Sequence, residues 1–266
     1  MHTRVSLVLF LLAACGPGAK VEEPAAAAAA VVAPDGPHEV VVLATASLSR
    51  AFTAMAARYE QEHPGAKVTL RCDGGAALLA AMNAGERCDV IAIGDSSQMS
   101  RFAAGAHLAP GSPTELARNR VAIAVAKGNP KNVRSLADLA RADVRLALGA
   151  RSSSIGRHAR WVLSRLSLDP APACEAATAD GVLAKVAAGD ADAGIVYTTS
   201  FAGGENAVGR IDVPDAQNTP VLLSISAARE AKEPRGAAAF RALALGPTGQ
   251  QILRDAGFLP IGAKLP

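Results

Sequence analysis

Val40-Val41-Val42-Leu43-Ala44-Thr45-Ala46-Ser47-Leu48-Ser49-Arg50-Ala51-Phe52 decides the fold: a β-branched run ends in small hydroxyl residues, and a helical pattern begins at once. Leu48, Ala51, Phe52, Met55 and Ala56 follow the i, i+3, i+4, i+7, i+8 spacing of one helix face. This spacing predicts a buried strand turning directly into a helix, with Ser47 at the N-cap. The first N–H groups of a helix have no internal partner, and the dipole adds about half a positive charge there. Such a turn therefore suits an oxyanion without any Lys or Arg. A single serine ahead of a helix is most often a plain cap. Repetition favours the functional reading, because strand, small-residue turn and helix recur at Val68–Ala81 and Val144–Arg160.

The surrounding chain sets the class. Half of the 266 residues are apolar and only 3% are aromatic, so alanine and valine must fill a core large enough for one large or two modest domains. The net charge of +3 comes with no dense basic cluster, which argues against nucleic acid as partner. Residues 1–14 read as an export signal: His2 and Arg4 precede the apolar run Val5–Ala14. That run is shorter than the roughly 20 residues that cross a bilayer. Leu12-Ala13-Ala14-Cys15 resembles a bacterial lipobox, which implies a lipid anchor on Cys15. Residues 15–37, with six consecutive alanines and Pro17, Pro24, Pro34 and Pro37, lack the apolar bulk for a core and read as a tether. Of the remaining cysteines, Cys72 ends one expected strand and Cys88 starts the next. As parallel neighbours they would sit at opposite sheet edges, too far apart for a disulfide. Cys72, Cys88 and Cys174 match no zinc spacing, and a buried-thiol role suits them better.

From Glu39 onward, strands Val40–Ala44, Lys67–Cys72 and Asp89–Ile93 alternate with helices Leu48–His63 and Ala76–Ala84. A second unit opens at Arg120–Ala126 and runs through a helix at Leu136–Ala142, strand Arg145–Leu148 and a helix through Trp161 and Leu166. Then come a short strand near Ala173–Ala177, helix Gly181–Ala188 and strand Ala193–Tyr197. Val221–Ile225 leads the chain back, and helices at Arg235–Ala244 and Thr248–Ala256 close it against the first unit. The expected fold is α/β and two-lobed, each lobe a mostly parallel sheet flanked by helices, with the ligand cleft between lobes. Lobe 1 takes residues 38–118 and 222–266, and lobe 2 takes 119–221. Ligands in such sheets bind at the carboxyl ends of the strands. There the chain carries Ala46-Ser47, Gly74-Gly75-Ala76, Ser152-Ser153-Ser154-Ile155-Gly156 and Ala179-Asp180-Gly181, each ahead of an expected helix, and Tyr197. Neutral donors of this kind fit a fully ionised tetrahedral dianion, whose oxygens only accept.

Four passages carry a family resemblance: Ala44-Thr45-Ala46-Ser47-Leu48, Asn83–Val90, Ala188-Gly189-Asp190-Ala191-Asp192-Ala193-Gly194-Ile195-Val196-Tyr197, and Phe240…Gly246-Pro247-Thr248-Gly249…Gly257-Phe258. Over residues 39–260 the chain resembles the molybdate-binding proteins of bacterial ABC importers, which have a two-lobed, type II periplasmic binding fold. The resemblance implies capture of molybdate, and tungstate with it, by hinge closure. It implies a monomer that delivers to ABC permease and ATPase subunits, with no cofactor and no metal apart from the oxyanion itself. Carried over residue by residue, Ser47 gives its hydroxyl and N–H, Tyr197 its hydroxyl, and Ile155 and Ala179 their backbone N–H groups. Gly75 supplies only an N–H, because Gly74-Gly75-Ala76 stands where the family usually has consecutive serines. Ala46 and Ser154 are further candidate contacts, and a serine of Ser152–Ser154 is a source for the missing hydroxyl. Arg71, Arg151 and Arg157 are either rim residues that steer anions or intruders that change the ligand.

Other classes compete. The alternative ligands are another oxyanion or a small organic anion, and a sensor lipoprotein of the same fold would bind without transport. A hydrolase is disfavoured, since Ser47-Leu48-Ser49-Arg50 has Arg where a Ser-x-x-Lys acylase needs Lys, and no Gly-x-Ser-x-Gly elbow is present. His38, His63, His107 and His158 show no triad spacing with a carboxylate.

Overall fold

The computed structural model describes residues 34, 36–111, 113–202 and 207–262. The export signal, Cys15 and nearly all of the tether lie outside these residues. Among the described residues ten strands form two sheets of five.

The first sheet is built from β1 (His38–Thr45), β2 (Ala66–Asp73), β3 (Val90–Gly94), β4 (Thr114–Asn119) and a strand from the far end of the chain, Val221–Ala227, numbered β10. Its order is β2-β1-β3-β10-β4. Every strand except β10 runs the same way, and β10 is antiparallel to both its neighbours. Alternation along β1 explains why the sheet is apolar on both faces. Val40, Val42 and Ala44 join a cluster with Phe52, Met55 and Tyr59 of α1 (Ser49–Glu62), Phe240 of α6 (Pro234–Leu245) and Leu253 of α7 (Pro247–Asp255). Leu43 points the other way, toward Ile91, Ile93, Leu78 of α2 (Gly75–Asn83) and Phe102 of α3 (Ser96–Ala104).

The second sheet holds β5 (Val121–Ala126), β6 (Leu146–Gly149), β7 (Cys174–Ala176), β8 (Ala193–Tyr197) and β9 (Val208–Asp212), in the order β7-β6-β8-β5-β9. Here β5 is the reversed strand. Helices α4 (Ser154–Ser164) and α5 (Ala179–Ala188) share its core through Ile155, Val162, Val182 and Val186. The chain crosses between sheets from β4 to β5 and again from β9 to β10. Buried asparagines sit at both crossings. Asn119 donates to Thr199 Oγ1 at 3.0 Å and accepts from the Arg120 N–H at 2.9 Å. Asn218 accepts from the Val121 N–H at 3.2 Å and donates to the Val121 carbonyl at 2.8 Å.

Several expectations need correction. The helix expected at Leu136–Ala142 is only a 3-10 turn, Ala137–Ala140. Asp138 binds the N–H groups of Arg134 and Ser135, closing the turn tightly, and the chain then enters β6. Helix α3 and strands β4 and β9 were not expected. Their sequences, Ser-Ser-Gln-Met, Thr-Glu-Leu-Ala-Arg-Asn and Val-Gly-Arg-Ile-Asp, mix polar and apolar residues at sheet or cleft edges and lack an unbroken periodic run. The cysteine argument assumed that the strands bearing Cys72 and Cys88 are neighbours, yet β1 lies between them. Both thiols and Cys174 are free. Cys88 is the buried one, donating to the Val90 carbonyl at 3.1 Å, and burial pushes its thiol up to about 12.

Candidate functional site

Register places the site. Thr45 of β1 pairs with Asp73 of β2, so these parallel strands end level and their following turns stand side by side. Gly149 of β6 pairs with Ala176 of β7 and does the same for the second sheet. The four turns and Tyr197 then line one cavity of about 250 Å³.

Each turn presents unpartnered backbone donors. After β1 the chain makes a 3-10 turn, Ala46–Leu48, closed by the Ser49 N–H on the Ala46 carbonyl, and α1 starts only at Ser49. Ser47 is thus not the N-cap expected of it. It sits inside the turn, half-buried, because Thr45 is the last extended residue and the chain bends one step earlier. After β2, the Asp73 carboxylate takes the Gly74 N–H at 2.7 Å, which leaves Gly75, Ala76 and Ala77 at the open N-terminus of α2. In the second sheet, Ser153 caps α4: its hydroxyl accepts from the Gly156 N–H at 3.1 Å and donates to the Ala150 carbonyl at 2.8 Å. Thr178 caps α5 by accepting from Gly181 at 3.0 Å. The first N–H groups of these helices, on Ser154 and Ile155 and on Ala179 and Asp180, have no intrahelical acceptor. The hydroxyl of Ser153 is committed to the turn itself, so among Ser152–Ser154 it is not the spare hydroxyl.

Tyr197, at the end of β8, is 6% exposed. Burial, reinforced by the Asp95 charge, raises its phenol well above the ordinary value, so it stays protonated and can donate. Its ring packs against His158 of α4, centroids 5.9 Å apart. His158 Nε2 lies 2.6 Å from the Thr219 carbonyl, an atom that only accepts, so Nε2 carries the hydrogen. Burial lowers the His158 value, which keeps the ring neutral, and its Nδ1 is buried without a partner among the described residues.

Among the described residues, no lysine or arginine lines the cavity. Arg71 binds Glu86 and stands 3.6 Å from Asp73, and Arg151 is exposed on a separate groove beside Trp161. Arg157 spans the cleft instead of entering it, with Nη2 2.9 Å from Asp95 Oδ2. Burial alone would raise the Asp95 carboxyl, yet Arg157 and the Ser97 hydroxyl and N–H outweigh it and hold it below the usual carboxylate range.

Sequence reasoning missed Gln98, which lines the cavity from α3 and is 5% exposed. It also missed Ser200 on the wall. The caps Ser153 and Thr178 carried a readable signal, each standing three residues before the glycine whose N–H it takes. Gln98 carried none.

Comparison with known proteins bears on the family and the fold. Residues 40–259 match the family described as bacterial extracellular solute-binding protein. The chain is 31% identical over 247 residues to the molybdate-binding protein ModA of Mycobacterium bovis and of Mycobacterium tuberculosis, covering 93% of this chain and 92% of the relative. Among solved structures it is similar to the periplasmic molybdate-binding protein of Azotobacter vinelandii, with a TM-score of 0.71 and 17% identity over 83% of this chain and 98% of that one. It is equally similar in fold to the sulfate-binding protein SubI of Mycobacterium tuberculosis H37Rv, with a TM-score of 0.71 and 16% identity over 85% of this chain and 88% of that one. The two sheets of five strands flanked by helices are those of the two-lobed periplasmic binding fold. The chain belongs to the family of bacterial extracellular solute-binding proteins.

Proposed function

We propose that the cavity captures molybdate, and tungstate with it, for delivery to the permease and ATPase of an ABC importer. The observation that carries this reading is the convergence of four helix or turn N-termini and one buried phenol on a cavity that no lysine or arginine lines among the described residues. Ser47 donates its hydroxyl and N–H, Tyr197 its hydroxyl, and Gly75, Ile155 and Ala179 their N–H groups. Ala46 and Ser154 add further contacts. Such donors match a dianion whose oxygens all accept. The volume is below the roughly 300–1,000 Å³ of sites for drug-sized ligands, which supports a small ligand.

Lobe 1 (38–118 and 222–266) and lobe 2 (119–221) close on the anion about the two crossings. The protein works as a monomer, tethered through a lipid on Cys15 outside the cytoplasm. A second reading is another oxyanion or a small organic anion. It is favoured by Gly74-Gly75-Ala76, which offers no hydroxyl. Sulfate shares the charge and shape of molybdate, so discrimination between them rests on cavity size. Calorimetric titration with both anions tests the two readings: tight molybdate binding with weak sulfate binding supports the first, and silence toward molybdate removes it.

A further inference from the structure

The second turn lacks a hydroxyl, and the space a side chain would take there is filled from another element. A Cβ added to Gly75 would collide with Gln98 Oε1 and lie 2.9 Å from its Cδ and 3.5 Å from its Nε2. Glycine at 75 and glutamine at 98 therefore belong together. Gln98 is held by its helix: Asp95 accepts from the Ser97 N–H at 2.9 Å, and the Gln98 N–H reaches the Asp95 carbonyl at 3.1 Å. Asp95 is also the residue that Arg157 grips across the cleft. The carboxamide itself has no hydrogen-bond partner among the described residues, although the side chain is buried and lines the cavity. Neither amide atom is among the enclosed unpaired ones, so the carboxamide opens onto the cavity with its hydrogen-bonding capacity unspent, available to the cavity's occupant.

We infer that the Gln98 carboxamide contacts the bound oxyanion directly, donating an N–H in place of the hydroxyl that the second turn lacks. This rests on the oxyanion reading above. An oxyanion only accepts, so it selects the NH₂ end of the amide and leaves the carbonyl end toward Gly75. The donor set is thereby completed from α3, and the turn that carries it is the one fastened to the opposite lobe by Arg157. Serine at 75 and glutamine at 98 exclude each other sterically but substitute for each other chemically.

The test is calorimetric titration of the full chain with molybdate in five forms: wild type, Gln98→Ala, Gly75→Ser, the double variant of these two, and Gln98→Glu. Gln98→Ala is expected to lose about tenfold or more in affinity, the scale of one hydrogen bond to a charged acceptor. Gly75→Ser also weakens binding, because its hydroxymethyl meets Gln98, and the double variant recovers to within a few-fold of wild type. Gln98→Glu keeps the shape and adds a negative charge. It is expected to lose more than Gln98→Ala, with the melting temperature of the unliganded protein showing that the fold survives. Wild-type binding with unchanged affinity in Gln98→Ala and Gln98→Glu, or strictly additive effects in the double variant, overturns the role of Gln98 alone. A wild-type chain that ignores molybdate overturns the oxyanion reading and this inference with it.

Discussion

Arg157 Nη2 lies 2.9 Å from Asp95 Oδ2, joining the first turn of α4 on one sheet to the residue that caps α3 on the other. Asp95 holds a positive φ of 78°, a conformation that non-glycine residues adopt rarely, so the turn is bent to present this carboxylate. Arg50 makes a second link across the cleft, to the Ala202 carbonyl. Asp95→Asn keeps the Oδ1 acceptor for Ser97 and removes the ion pair. A half-exposed pair of this kind is worth about 0.5–1 kcal/mol. We expect ligand release to accelerate about two- to fivefold, with the wild type losing the same advantage at high salt. The chain's single tryptophan, Trp161 on α4, provides the stopped-flow signal. An unchanged release rate would show that the pair does not hold the cleft closed.

Ser47→Ala and Tyr197→Phe each remove one hydroxyl from the cavity and little volume. Each is expected to weaken molybdate binding by about 1–3 kcal/mol, the cost of losing a buried hydrogen bond to a charged group. Parallel melting curves without ligand should move little. Full affinity in both variants would remove these residues from the site.

The strand-to-turn-to-helix units were legible because unbroken apolar runs such as Val40–Ala44 end in small residues, and the same pattern returns in the second sheet. That pattern led to all four turns and to Tyr197, which line one cavity. The reversed strands β5 and β10 were not legible, since a strand buried on both faces reads the same in either direction. Nor was Gln98, which meets Gly75 only through the fold and lies on a short helix with no apolar run to announce it. Ser47 shows a different limit. Its residue type suits a cap, yet the chain tightened into a 3-10 turn ahead of the helix.

His158 makes stability depend on pH. Its folded value is lowered by burial from the ordinary 6.5, so below that pH the unfolded chain takes up a proton that the folded chain does not. Stability therefore falls as pH drops from 6.5 toward the lower folded value. His158→Gln keeps a donor for the Thr219 carbonyl and has no proton to gain. Urea denaturation at pH 7.5 and 5.5 should show a smaller acid-side loss in the variant, and equal losses would exclude His158 as the cause. Asp95 acts in the same direction at lower pH. Its contribution is complete above the ordinary 3.8 and disappears as pH falls through its lower folded value.

Asn218 satisfies both backbone groups of Val121 where the chain returns to the first sheet. Asn218→Ala leaves a buried N–H and carbonyl unpaired and should cost about 2–4 kcal/mol, from about 1–3 kcal/mol for each group with partial relief by water. Chemical denaturation without ligand measures it, and a loss under about 0.5 kcal/mol, the scale of an ordinary surface substitution, would show that the crossing does not depend on this side chain.

The most direct test of oxyanion capture by neutral donors is a calorimetric titration of the chain from Pro37 onward with molybdate, tungstate, sulfate and phosphate at neutral pH. The account predicts tight, one-to-one binding of molybdate and tungstate, with sulfate and phosphate weaker by orders of magnitude. Binding of phosphate or sulfate as tight as that of molybdate, or no heat with any of the four, would contradict it.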